Sequence, residues 1–126
     1  MSDGAKIIMI IEDDRFLSSL MKARFEKDGF TTVQAFDGAE AMQLLKQSPV
    51  PNLIILDLIM PKVTGFEVLQ SISITPGLDK VPVVILSNLA QDSDIQKARQ
   101  LGAKEYFVKV KVSIDDLVAR AKELAV

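Results

Sequence analysis

Three short runs of almost unbroken hydrophobicity, Ile7 to Ile11, Leu53 to Leu56 and Val81 to Leu86, constrain this chain more than any other feature. All three are rich in Val and Ile, as strands covered on both faces are, so they read as central strands of a parallel sheet. Thr31 to Ala35 is more polar, and Glu105 to Val108 is short and mixed. Both fit outer strands, which makes five.

Helical patterns fill the intervals. Leu17, Leu20, Met21 and Phe25 fall on one face of a first helix, and Ala41, Leu44 and Leu45 on one face of a second. The last helix is the clearest, with Ile114, Leu117, Val118, Ala121, Leu124 and Ala125 at helical spacing and Ser113 with Asp116 resembling a capping box. Asp37 with Glu40 and Thr64 with Glu67 give similar start signals for the second and third helices. Asp92 is expected to cap a fourth helix that stops at Gly102, and Pro76-Gly77 marks a turn. Strict alternation of strand and helix, with no repeats, implies an α/β fold with five helices around a doubly wound, five-stranded parallel sheet of flavodoxin-like order 2-1-3-4-5. That order puts a ligand crevice at the carboxyl ends of strands 1 and 3.

Length and composition limit what the crevice can do. The 126 residues suit one domain, 1–126, with 48% hydrophobic and 25% charged residues as in a globular protein. Net charge is -2 and the basic residues are scattered among acids, so direct nucleic-acid binding is not expected. The segment Met1-Ser2-Asp3-Gly4-Ala5-Lys6 lacks a signal-peptide layout and no apolar run reaches spanning length, which points to the cytoplasm and away from the membrane. With neither Cys nor His, any chemistry must run on carboxylates, hydroxyls and lysine.

Those groups lie at the strand ends. Strand 1 runs into Glu12-Asp13-Asp14 and strand 3 into Asp57, so the expected order sets these acids side by side. Like charges that close repel unless a divalent cation neutralises them, and oxygen ligands without Cys or His favour Mg²⁺ over Zn²⁺. Asp14, just before the first helix, suits an N-cap instead. Asp57 alone could be a turn residue, Ser87 at the end of strand 4 another, and Lys109 at the end of strand 5 an ordinary solvated lysine. Together they supply a nucleophile, a metal site and donors for phosphoryl oxygens.

In this order the motifs resemble those of response-regulator receiver domains over essentially the whole chain. Ile10-Ile11-Glu12-Asp13 looks like the family's acidic pair, Leu56-Asp57 like the acceptor, and Met60-Pro61 with Gly65 like the loop after it. Ser87 looks like the switch hydroxyl and Lys109 like the family lysine. The resemblance implies that Asp57 accepts a phosphoryl group from a histidine kinase, a phosphotransfer protein or a small acyl phosphate. It further implies that Asp13, Asp57 and the Ile59 backbone carbonyl hold Mg²⁺, with Glu12 acting through water, and that Lys109 and Ser87 contact phosphoryl oxygens. Such a chain catalyses only its own phosphorylation and dephosphorylation. The donor must be external, because there is no His. Tyr106 matches the aromatic switch position, and it also fits an edge-strand core residue. A downstream protein would then read the face made by helix 4, strand 5 and helix 5, with the receiver a monomer or weak dimer.

Some positions depart from the family pattern. Asn88 stands where a small residue is usual, Val110 replaces the proline after the lysine, and Ile59 and Leu89 are both apolar where the family tunes loss of the mark. A trans Lys109-Val110 bond is expected, since cis costs roughly 2.5 to 4 kcal/mol before a non-proline residue. The rival readings are a phosphate-independent pseudo-receiver, a flavodoxin-like cofactor binder and a Mg²⁺-dependent phosphatase. The binder would need a phosphate loop after strand 1, where Glu12-Asp13-Asp14 would repel phosphate, and the phosphatase would place its nucleophile after strand 1.

Overall fold

The computed structural model describes residues 4–126, so Met1, Ser2 and Asp3, and with them part of the signal-peptide argument, lie outside the described residues. Five parallel strands, β1 (Ile7–Ile11), β2 (Thr31–Ala35), β3 (Leu53–Leu56), β4 (Val83–Ser87) and β5 (Glu105–Val108), form one sheet in the order β2-β1-β3-β4-β5. Helices α1 (Arg15–Lys27), α2 (Gly38–Gln47), α3 (Gly65–Ile74), α4 (Asp92–Gln100) and α5 (Ile114–Leu124) connect and follow them. The doubly wound fold expected from the alternating pattern is the one observed.

Burial on both sheet faces explains the unbroken apolar runs. Because side chains alternate along a strand, Ile8, Ile10, Leu53, Ile55, Val84 and Leu86 meet Met21 and Phe25 of α1 and Leu117, Val118 and Ala121 of α5. Met9, Ile11, Ile54, Leu56, Val83 and Ile85 meet the other three helices through residues such as Ala41, Leu69 and Ala98.

Local starts follow the sequence signals. Asp14 Oδ1 accepts from Leu17 N (3.1 Å), Asp37 Oδ1 from Glu40 N (2.8 Å), Thr64 Oγ1 from Glu67 N (3.3 Å) and Ser113 Oγ from Asp116 N (3.0 Å). Glu40 reaches back to accept from Phe36 N (2.7 Å). Gly102, with φ +106°, ends α4 by donating to the Arg99 carbonyl.

Three expectations change. Asp92 does not cap α4: Gln91 is the N-cap, makes no side-chain cap bond, and Asp92 is the first helical residue. Asp92 and Asp94 instead place negative charge in the first turn, where the helix dipole favours it. Strand 4 begins at Val83 rather than Val81, because Pro82 has no N–H for the ladder and Val81 N is committed to the Leu78 carbonyl in the preceding turn. Leu20 is exposed, since Ser18, Met21 and Phe25 form the inward line of α1 and Ser18 Oγ accepts from Gln34 Nε2 of β2 (2.8 Å).

Candidate functional site: an acid cluster at the carboxyl end of the sheet

The parallel ladder delivers two acids to one place. Asp57 N donates to the Ile11 carbonyl (3.0 Å) and Glu12 N to the Ala35 carbonyl (3.0 Å), so each strand's pairing runs one residue past its end and fixes the residue that carries the carboxylate. Glu12 and Asp57 are 1% and 4% exposed, whereas Asp13 is exposed. Carboxylate oxygens of all three lie within 4.8 Å of one another. Asp13, Asp57, Ile59, Asn88 and Lys109 line a cleft of about 220 Å³ above them.

Lys109 enters this cleft from the first residue of a short 3₁₀ turn, Lys109–Lys111. Its Nζ lies 2.9 Å from Asp57 Oδ2 and 2.9 Å from Glu12 Oε1. The peptide bonds of the described residues are all trans, Lys109-Val110 included, so the lysine reaches the acids without the family's proline. Val110 itself points into solvent, 81% exposed.

One ammonium among three carboxylates leaves an excess of negative charge in a poorly solvated place. Burial pushes the Glu12 carboxyl up to about 7, against the pull of Lys109 and of the Asp14 amide. Burial also works against the Lys109 ammonium, but its two acidic contacts outweigh that and hold its pKa above the ordinary lysine value. One Glu12 oxygen accepts from Asp14 N (3.0 Å), while the other, Oε1, meets Lys109 as an ion pair and accepts no hydrogen bond. A buried oxygen whose one partner is a lysine shared with Asp57, beside two further carboxylates and with no nitrogen or sulfur ligand, fits a hard divalent cation.

The remaining residues singled out in the sequence sit one step away. Ser87 is fully buried and its Oγ accepts from Leu89 N (3.3 Å), so it does not line the cleft. The Tyr106 hydroxyl donates to the Leu89 carbonyl (2.6 Å), and burial holds that phenol above its ordinary pKa. Leu89 thus joins Ser87 to Tyr106 through its backbone, a role that no side-chain motif can announce.

Residues 8–122 match the sequence profile of the response regulator receiver domain. The chain belongs to the response-regulator receiver family. This receiver is 35% identical over 117 residues to the DNA-binding dual master transcriptional regulator RpaA of Synechocystis, covering 93% of this chain and 48% of that one. The chain spans about half the length of the curated relatives it matches. Among solved structures it resembles the phosphorylated cyanobacterial phytochrome response regulator RcpA, with a TM-score of 0.83 and 31% identity over 95% of this chain and 91% of that one. It also resembles the Mn²⁺-bound form of response regulator Rcp1, with a TM-score of 0.81 and 32% identity over 94% and 90%. The protein is therefore a receiver domain of the two-component response-regulator class.

Proposed function

We propose that residues 1–126 are one receiver unit in which Asp57 accepts a phosphoryl group in a Mg²⁺-dependent reaction. The observation that carries this reading is the buried Asp57 carboxylate, held 2.9 Å from Lys109 beside Glu12 and Asp13. An Asp57 carboxylate oxygen forms a bond to phosphorus as the P–N bond of a phosphohistidine breaks. The bonding pair returns to the imidazole of the partner histidine kinase or phosphotransfer protein, which takes up a proton from water. An acyl phosphate serves equally, with its carboxylate leaving. Lys109 offsets charge on the phosphoryl oxygens and Ser87 donates to one of them. Residues 1–126 contain no His, so the phosphohistidine lies outside them. The receiver turns over no separate substrate; it accelerates only gain and loss of its own mark.

Asp13, Asp57 and the Ile59 carbonyl would hold Mg²⁺, with Glu12 acting through water. The ion would supply the positive charge that lets acids and phosphoryl oxygens coexist. Rcp1, whose structure is a Mn²⁺-bound form, and RcpA, whose structure is phosphorylated, support both parts of the assignment.

Signal output goes to a protein that reads α4, β5 and α5. The Leu89 backbone supports this route, because a Ser87 drawn toward a phosphoryl oxygen must release or drag Leu89 N, and with it the carbonyl that holds Tyr106. Direct nucleic-acid contact is not part of the proposal; RpaA is named DNA-binding, but more than half of it lies outside this chain. No helix of the described residues is long and apolar enough to cross a membrane, and we place the chain in the cytoplasm as a monomer or weak dimer. Lys109 reaching Asp57 favours this reading over a phosphate-independent pseudo-receiver.

Intact-mass measurement after treatment with acetyl phosphate and Mg²⁺ tests the core claim. A base-labile gain of one phosphoryl group is expected, and Asp57→Asn should abolish it. An equal gain in Asp57→Asn would assign the mark elsewhere.

A further inference from the structure

The loop that follows Asp57 is short, closed and strained. Gly65 N donates to the Leu58 carbonyl (3.0 Å), closing residues 59–64 into a loop, and within it Val63 N donates to the Pro61 carbonyl across Lys62 (2.9 Å). Lys62 has φ +71°, the one non-glycine residue in the left-handed region among the described residues. A lysine's own preferences oppose that conformation, so packing around it must impose it. Two glycines do so. A methyl group on Gly65 would overlap the Asp57 carbonyl and Leu58 Cα, and one on Gly38 would overlap the Val63 carbonyl oxygen. Gly38 belongs to a different part of the chain, the first residue of α2, and its φ is not positive. Its use there is the missing Cβ, which lets the Val63 backbone close in. Beside it, Asp37 Oδ2 lies 3.5 Å from Lys62 Nζ.

We infer that Gly38 is a positioning residue for the acid cluster: the start of α2 seats Val63 and, through the closed loop, sets the place of Ile59 against Asp57. The inference rests on the reading of the cleft as a Mg²⁺ site. Ile59 lines that cleft and its amide donates to Asp57 Oδ1 (3.2 Å). A displaced Val63 finds no slack on either side. Lys62 is already strained, and the Gly65 end is packed on the Asp57 backbone. The displacement therefore passes to the stretch from Ile59 to Pro61, whose Ile59 lines the cleft beside the acids.

Gly38→Ala in the full chain tests this at a temperature where circular dichroism shows both proteins folded. Calorimetric titration should give Mg²⁺ affinity weaker by about tenfold, as supporting residues of metal sites commonly do when replaced. Without metal, the Ile59 and Gly65 amides should exchange faster. A lowered melting temperature with unchanged Mg²⁺ affinity and unchanged exchange at Ile59 would mean that Gly38 only stabilises the fold, and would overturn the inference. Should Gly38→Ala fail to fold, Asp37→Asn keeps a capping acceptor while removing the charge that faces Lys62. It should weaken Mg²⁺ binding about twofold, and no change would be equally fatal. If the wild-type chain binds no Mg²⁺, the reading of the cleft fails, and the metal-free exchange comparison still decides the role of Gly38.

Discussion

The crevice and the seam between α1 and α5 are made of the same parts in different surroundings. At the seam, Asp28 Oδ2 meets Arg24 Nη1 at 2.7 Å and Lys122 Nζ at 3.1 Å, and Arg24 Nε reaches Asp115 at 3.3 Å. Cations equal acids there and every side chain keeps contact with water. At the crevice one ammonium faces three carboxylates, two of them buried. Balanced, solvated charges settle into ordinary ion pairs, and Lys122 and Arg24 pull the Asp28 carboxyl below its usual range. Unbalanced, buried charges do the reverse, and Glu12 rises to about 7. The unsettled arrangement is the one equipped to take up a cation and a phosphoryl group.

The largest difference should appear in phosphorylation. Asp57→Asn should lose all Mg²⁺-dependent mass gain, whereas Asp28→Asn, measured alongside, should gain the mark as the wild type does. Loss in both would show that the seam shapes the crevice and would end the contrast.

Removing the cation from each region comes next. At pH 8 without divalent metal, Lys109→Met takes from buried Glu12 and Asp57 their shared cationic partner, and should cost about 3 kcal/mol in urea unfolding. Added Mg²⁺ should restore part of it. Lys122→Met leaves Asp28 still paired with Arg24, and its smaller loss should vanish in high salt. Equal losses would mean that the crevice is as well solvated as the seam.

pH should move the two regions in opposite directions. Glu12 holds its proton more tightly folded, near 7, than its ordinary value of 4.5 allows, so its contribution is fully present below 4.5 and is lost as pH rises through 7. Asp28 lies below its ordinary 3.8, so its contribution is present above that value and lost as pH falls. Mg²⁺ must displace the Glu12 proton, so its affinity should climb up to about tenfold per pH unit below 7 and level off above. Affinity that stays flat from pH 5.5 to 8 would remove the proton from Glu12.

The smallest effect belongs to the seam alone. Asp28→Asn should lower the unfolding midpoint slightly at low salt and not at all in 0.5 M NaCl, because exposed pairs are screened. A loss that persists in salt would point to packing rather than charge.

The sequence by itself determined the elements and their order. Apolar runs, capping residues and alternation are written in neighbouring positions, which is why β1, β2, β3 and β5 have the expected ends and why Asp14, Asp37, Thr64 and Ser113 cap the helices expected of them. It also named the acids and the lysine, since strand ends are legible once the strands are. What it missed turned on groups that the apolar pattern does not weigh: Pro82 shortening β4, Gln91 displacing Asp92 as a cap, and Ser18, bonded to Gln34, taking the inward line while Leu20 faces outward. Only the tertiary structure brought Glu12 and Asp57 within reach of one ammonium, left Glu12 Oε1 without a hydrogen bond, joined Ser87 to Tyr106 through Leu89, and set Gly38 against Val63. Each depends on the distance and solvation of groups far apart in the chain, or on carbonyls and amides that every residue carries, and a string of side-chain names encodes neither.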